Sequence, residues 1–163
     1  MNVTLGTAGS ATLLRAIHIE TRNAAIYESL GQLFQGYDDS VWAIFGEMAA
    51  EELQHGALLE QRYQERFGSV PSPGEPPKEV IEAPDLHDPE ALIFDSMTVV
   101  QALETGLRAE QEARDFYRQE VARTSDPELQ KVYRELGEFE ETHVRVLNEK
   151  LAEKCNARDA SKR

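Results

Sequence analysis

The sequence predicts an all-α protein, a single four-helix bundle, and three observations support this. Hydrophobic residues recur at intervals of three and four along four separate stretches, which is the spacing of the inner face of a bundle helix. These stretches are rich in Ala, Leu, Glu, Arg and Gln, a composition that favours helix. The pattern of the first two stretches returns about ninety residues later. The length of 163 residues, 1–163, suits one domain.

The first two helices are expected over residues 11–35 and 40–67. Ser10 is the expected N-cap of the first helix. The short turn between the helices, Gly36 to Ser40, favours an antiparallel neighbour. The inner faces read Leu13, Ile17, Glu20, Ala24, Tyr27, Gly31 and Phe34 in the first helix, and Phe45, Met48, Glu52, His55 and Leu59 in the second.

Residues 68–90 contain six of the seven prolines of the chain, a density that excludes regular helix. A semi-extended segment of this length can travel the full length of a bundle. We therefore expect a long crossover that lets helices 2 and 3 run parallel. The alternative is a linker between two helical hairpins that are exchanged between subunits.

The third and fourth helices are expected over residues 96–123 and 127–155, followed by a polar tail at 156–163. Asp126 as N-cap, with Pro127 at the first helical position, is the start signal of the fourth helix. The inner faces read Val100, Leu103, Leu107, Glu110, Ala113, Tyr117 and Val121 in the third helix, and Tyr133, Leu136, Glu140, His143, Leu147 and Leu151 in the fourth.

The two halves of the chain align with each other. A shift of 90 residues brings Glu20 onto Glu110 and Tyr27 onto Tyr117. A shift of 88 residues aligns helix 2 with helix 4, in the pairs Phe45 and Tyr133, Met48 and Leu136, Glu52 and Glu140, His55 and His143, and Leu59 and Leu147. The repeat indicates a duplicated helical hairpin and an internal twofold pseudo-symmetry.

Acidic and imidazole side chains interrupt these apolar faces, where a charge is costly to bury unless it is paired or binds a metal. Residues three apart share one face of a helix, so both side chains of each Glu-x-x-His motif point the same way. Four carboxylates and two imidazoles suit two metal ions, because the carboxylates offset the charge of two divalent cations. The predicted ligands are Glu20, Glu52, His55, Glu110, Glu140 and His143.

Tyr27 and Tyr117 follow the lone glutamates by two helical turns. We expect their hydroxyls to hydrogen-bond to ligand carboxylates; the alternative is that they only fill the core. The remaining candidates are expected to have no ligand role, because they lie off the apolar faces or in the proline-rich segment: His18, Glu47, Glu51, His87, Glu104, Glu135 and Glu141.

The formal net charge of −13 argues against nucleic acid and anionic membranes as partners. Cys155 is the only cysteine, so no disulfide can form within the chain, which is compatible with a reducing compartment. The N-terminus lacks the pattern of a secretory signal, and no apolar stretch approaches the ~18 residues of a membrane span. We therefore expect a cytoplasmic protein.

Four stretches resemble the rubrerythrin branch of the ferritin-like superfamily: Glu20 to Tyr27, Glu52-Leu53-Gln54-His55, Glu110 to Tyr117 and Glu140-Glu141-Thr142-His143. The resemblance covers residues 11–155 and implies a ferritin-like fold with a non-haem di-iron centre. It implies two iron ions as cofactor, although manganese or zinc accept the same ligands. Rubrerythrins are generally peroxide reductases in oxidative stress, so hydrogen peroxide or dioxygen is the implied substrate.

Two departures from the family pattern affect the expected reaction. Many members have a rubredoxin domain with two Cys-x-x-Cys pairs that supplies electrons. This sequence has no such pair, so we expect an external electron-donor protein. Members also often have an extra glutamate three residues after the helix-3 ligand, where this chain has Ala113. This moves the ligand set toward that of ferritins and bacterioferritins. We also expect a homodimer or higher homo-oligomer.

These observations favour a di-iron oxidoreductase, a peroxidase. The second hypothesis is a ferroxidase that passes iron on for storage in a large hollow shell, a setting in which the proline-rich segment would be awkward. The third is a hydroxylase resembling the ubiquinone-pathway enzymes, which act on membrane quinones; the charge argues against it. The fourth is a bundle stabilised by a redox-silent metal such as zinc.

Overall fold

Helices are the only regular elements in the described part of this computed structural model, which comprises residues 3–71 and 97–160. Helix α1 (Val3–Phe34) packs against α2 (Asp39–Phe67), and α3 (Val99–Arg123) packs against α4 (Pro127–Ala160). Each pair is one helical hairpin. The two hairpins belong to separate compact units, Met1–Phe94 and Asp95–Arg163. Over the described residues, no helix has an apolar stretch long enough to cross a membrane.

The first hairpin is antiparallel because its contacts pair early residues of α1 with late residues of α2. The hydroxyls of Ser10 and Tyr63 lie 3.1 Å apart near its open end, and Glu20 lies against Gly56 in the middle. Gly36 has a φ of 75°, which suits a glycine and allows the chain to leave α1 in a tight turn. The side chain of Asp38 then accepts a hydrogen bond from the backbone N–H of Val41 and caps α2.

The second hairpin is also antiparallel, and both of its helices begin at capped N-termini. Thr98 forms a capping box with Gln101 at the start of α3. The side chain of Asp126 accepts hydrogen bonds from the N–H groups of Glu128 and Leu129, at 2.9 and 3.1 Å. The predicted start signal of the fourth helix, with Pro127 as its first residue, is confirmed.

The repeat seen in the sequence is also present in the packing of each hairpin. In the first hairpin the ring of Tyr27 stacks on Phe45, with centroids 5.8 Å apart and planes 16° apart. In the second hairpin Tyr117 stacks on Tyr133 at 6.1 Å and 24°. Because these pairs occupy equivalent positions of the repeat, the two hairpins share one packing pattern.

Two helices extend beyond their expected ends. Helix α1 begins at Val3, not near residue 11, so the prediction that Ser10 is an N-cap is wrong. Its hydroxyl instead bonds to that of Tyr63. Helix α4 continues to Ala160, into the expected tail. The tail is polar, but it contains no proline or glycine to end a helix, and polarity alone does not stop one.

Residues 72–90 of the expected crossover lie outside the described residues. Its first residues, Gly68 to Pro71, are described. Gly68 ends α2 with a φ of 87° and donates its backbone N–H to the carbonyl of Gln64. A glycine at a helix end with positive φ is a common C-cap.

We expect Gly56→Leu to destabilise the protein by about 1–3 kcal/mol, because a large side chain would overpack the contact between α1 and α2. A Cβ added at Gly56 would lie 3.6 Å from the Cβ of Glu20, so the further atoms of a leucine would meet α1.

The matched control is Gly46→Leu in the same helix. Gly46 is exposed and has open space around its Cα. Here we expect a gain of about 0.5–1 kcal/mol from helix propensity. Urea denaturation measures both changes, and equal effects at the two positions would contradict the close packing.

Candidate metal centre

The first hairpin brings three predicted ligands together in its interior. Glu20 lies in the middle of α1, and Glu52 and His55 lie one turn apart on α2. Both carboxylates are 0% exposed and His55 is 8% exposed. Gly56 lets α1 and α2 approach each other beside Glu20, because no side chain separates the two backbones there. The helix contact therefore places the carboxylate of α1 next to the Glu-x-x-His pair of α2.

The three side chains form a compact set of donor atoms. His55 Nδ1 lies 3.3 Å from Glu20 Oε2. One ligand atom each from Glu20, Glu52 and His55 fall within 4.8 Å of one another. We call these three residues the first half-site.

The second hairpin repeats this arrangement with Glu110 on α3 and Glu140 and His143 on α4. Both carboxylates are 0% exposed and His143 is 4% exposed. His143 Nδ1 lies 3.2 Å from Glu110 Oε2 and 3.7 Å from Glu140 Oε2. One ligand atom from each of the three again falls within 4.8 Å of the others. We call these residues the second half-site.

The donor chemistry of each half-site fits a divalent transition metal. Two carboxylates and one imidazole offer the oxygen and nitrogen ligands that iron, manganese and zinc accept. Burying carboxylates costs free energy unless a cation or hydrogen bonds compensate them, and a metal ion does so with one group. Six charged or imidazole side chains that are all nearly inaccessible to solvent are therefore better explained by metal binding than by helix packing alone.

Tyr27 and Tyr117 are both buried completely. Their rings pack on the aromatic residue at the start of the facing helix, Phe45 or Tyr133. This packing is what the alternative, a role in filling the core, requires. Hydrogen bonds from their hydroxyls to ligand carboxylates stay a prediction.

The glutamates that sequence reasoning set aside are exposed: Glu47, Glu51, Glu104, Glu135 and Glu141. Glu141 forms ion pairs with Arg114 and Arg118 on the outer surface of its own hairpin, at 3.4 and 2.9 Å. Exposed pairs of this kind add little to stability. Glu140, its neighbour in sequence, is completely buried.

His18, which was expected to lie off the apolar face of the first helix, is partly exposed. Burial, together with the nearby guanidinium of Arg22, lowers the pKa of His18 from its ordinary value. His87 lies outside the described residues. Cys155 is partly exposed, and its thiol is free.

Sequence reasoning missed Asn23, a polar residue that is 0% exposed. It lies three residues after Glu20, so it shares the buried face of α1 one turn further along. Arg22 donates hydrogen bonds to Asn23 Oδ1 from Nε at 3.3 Å and Nη2 at 3.2 Å. Asn23 Nδ2 is buried and has no hydrogen-bond partner among the described residues. Leaving a buried donor unsatisfied costs about 1–3 kcal/mol, so this group calls for an explanation.

Comparison with known proteins identifies the family. The family model described as Rubrerythrin matches residues 11–151, most of the chain. The chain belongs to the rubrerythrin family. The resemblance of the Glu-x-x-His repeat to this family is thereby confirmed. Among curated proteins, no relative matches the chain.

Two solved structures resemble this rubrerythrin-family chain over most of its length. A hypothetical protein from Pyrococcus furiosus has 23% sequence identity and a TM-score of 0.72, covering 88% of this chain and 87% of that one. An uncharacterized conserved protein from Magnetospirillum magnetotacticum has 22% identity and a TM-score of 0.66, covering 88% and 93%. At these identities the likeness concerns the fold. The predicted class, an all-α ferritin-like four-helix fold, is confirmed.

Proposed function

We propose that this rubrerythrin-family protein is a di-iron oxidoreductase that reduces hydrogen peroxide, or dioxygen, with electrons from an external donor protein. The observation that supports this most is the duplicated set of two glutamates and one histidine, buried in both hairpins. Family membership favours iron over the other metals that these ligands accept.

The proposed centre is dinuclear, with each half-site supplying the main ligands of one ion. Glu20, Glu52 and His55 would hold the first ion. The second half-site, Glu110, Glu140 and His143, would hold the second ion. The two hairpins support this division, because each contains two glutamates and one histidine that are buried to a similar extent. In the related di-iron bundles, glutamates and Glu-x-x-His pairs from four helices surround two ions.

When bound, two ferrous ions would supply the two electrons that, with two protons, reduce one hydrogen peroxide to two water molecules. The six Glu and His side chains of the two half-sites would hold the ions. Their burial excludes bulk water, which strengthens electrostatic interactions inside the site and limits side reactions. The histidines contribute nitrogen ligands to an otherwise carboxylate-rich set, and each lies close to the lone glutamate of its own hairpin.

The electrons for further turnovers come, in this proposal, from a separate protein with a basic docking surface. The net charge of −13 supports this choice, because an acidic surface attracts a basic partner and raises the association rate. The attraction is screened by salt. We expect the rate of reduction by a basic donor such as a rubredoxin-like protein with added lysines to fall steeply as ionic strength rises.

Rapid mixing tests the reaction itself. The protein is loaded anaerobically with ferrous iron and mixed with hydrogen peroxide while the visible absorption is followed. We expect oxidation of the bound iron faster than that of ferrous iron in buffer, with one peroxide consumed for every two irons. The chelated protein mixed with peroxide is the control. If the loaded protein stays ferrous, or oxidises no faster than free iron, the proposed reaction is wrong.

A second candidate function is ferrous-iron oxidation for storage. Ala113, which is buried, favours it, because it stands where many rubrerythrins have an extra glutamate. The resulting set of six ligands resembles that of ferritins. Particle mass separates the candidates: a dimer or other small oligomer supports the reductase, and a large hollow shell that retains iron mineral supports storage.

A further inference from the structure

Asn23 is a buried polar residue that neither the family motif nor the ligand set accounts for. Its side chain is 0% exposed and lies one helical turn after Glu20 on the buried face of α1. The two Arg22 contacts fix which end of the amide is oxygen, because a guanidinium only donates hydrogen bonds. Nδ2 therefore points away from Arg22. It is enclosed there and makes no hydrogen bond to any described residue, the carboxylate of Glu20 included.

Buried amide donors are nearly always satisfied, by protein, by ordered water or by a ligand. The repeat adds a second observation. A shift of 90 residues brings Asn23 onto Ala113, which is also buried but has no polar atom in its side chain. The half-sites are alike in their ligands but differ at this position. Only the first hairpin has a hydrogen-bond donor there.

We propose that Asn23 Nδ2 is the hydrogen-bond donor for an anionic or peroxide ligand that binds at the ion of the first half-site. This inference rests on the proposed function and deepens it, because it assigns exogenous ligands to one of the two ions. Glu20 holds that ion from one turn away on the same helix, so the amide and the ion lie on one side of α1. The second half-site, with Ala113, lacks this donor and binds such a ligand more weakly.

Azide binding tests the inference, since azide is a small anion that occupies open positions on iron. The variant Asn23→Leu keeps the number of side-chain atoms and removes both polar groups. We expect the dissociation constant of azide, read from the azide-to-iron absorption band of the ferric-loaded protein, to rise about tenfold or more. A hydrogen bond to a charged group is worth that much in affinity. The iron content per chain should not change.

Asn148→Leu is the matched control, because its amide donates to the carbonyl of Val144 within its own helix. It should leave azide affinity unchanged. If Asn23→Leu does not fold, Asn23→Ala, which reproduces the residue at position 113, gives the same readout. The melting temperature of the chelated variants shows whether the effect is structural.

Three other outcomes would contradict the inference, and each points to a different cause. If azide affinity is unchanged while both irons bind, Asn23 has no role in ligand binding and the proposed function stands. If the variant loses iron, Asn23 supports the ion itself and not its exogenous ligand. If the unsubstituted protein binds no iron, the proposed function fails first, and this inference fails with it.

Discussion

Glu140→Gln should reduce the iron bound per chain from two ions to one or none. The substitution keeps the size of the side chain and removes one negative oxygen ligand from the second half-site. Glu140 is 0% exposed, and its Oε2 lies 3.7 Å from His143 Nδ1. Replacing residues that merely orient metal ligands commonly lowers metal affinity 10–100-fold, so loss of a ligand should lower it by at least about 100-fold. Metal analysis after anaerobic loading and gel filtration measures the change.

The control is the adjacent glutamate. Glu141 has the same side chain, but it is exposed and pairs with Arg114 and Arg118 on the surface. Glu141→Gln should keep both ions and change stability by less than about 1 kcal/mol. If the two variants lose equal amounts of iron, or if neither loses any, Glu140 is not a ligand.

Loading with iron should raise the thermal midpoint of the protein by roughly 8–16 °C. At a free metal concentration about 1,000 times the dissociation constant, binding to the folded state adds about 4 kcal/mol. For a domain of this size, 1 kcal/mol corresponds to about 2–4 °C. Calorimetry with and without a chelator measures the difference. The gain should shrink as the pH falls, because carboxylate and imidazole ligands must be deprotonated to bind.

In the chelated protein, Glu140→Gln should raise the melting temperature. A buried carboxylate without its cation is costly, and an amide of the same shape costs less. The variant should therefore melt above the unsubstituted protein when metal is removed, and gain much less when iron is added. A residue that is selected for function at the expense of stability gives this result: the variant is the more stable protein without metal and gains less stability from iron. A variant that melts lower in both states would show that Glu140 stabilises the hairpin by packing or hydrogen bonding.

The periodic pattern of the sequence predicted most of the half-sites because burial and helical spacing are coupled. Glu20, Glu52 and Glu110 occupy positions where an apolar residue belongs, and all three are buried. The start of the fourth helix could also be predicted, because Asp126 followed by Pro127 is a strong signal for a helix N-terminus. The repeat was visible because the aromatic pairs that stack in each hairpin also recur at matching spacing.

Other features depend on contacts that a linear pattern does not contain. Helix α1 begins at Val3 although residues 4–10 include small residues of low helix propensity, so propensity alone misplaced its start. Gly56 looks like a weak point of α2 until its contact with Glu20 is known. Asn23 is an ordinary surface residue by composition, and its burial follows from its place one turn after Glu20. The signal for its burial was the spacing of three residues from Glu20, which is itself buried.

Anomalous scattering at the iron edge, recorded from crystals grown from anaerobically loaded protein, locates the bound ions. We expect two peaks in each chain. One peak should be bounded by Glu20, Glu52 and His55, and the other by Glu110, Glu140 and His143. A single peak, or peaks found only at exposed carboxylates such as Glu51 and Glu141, would contradict it.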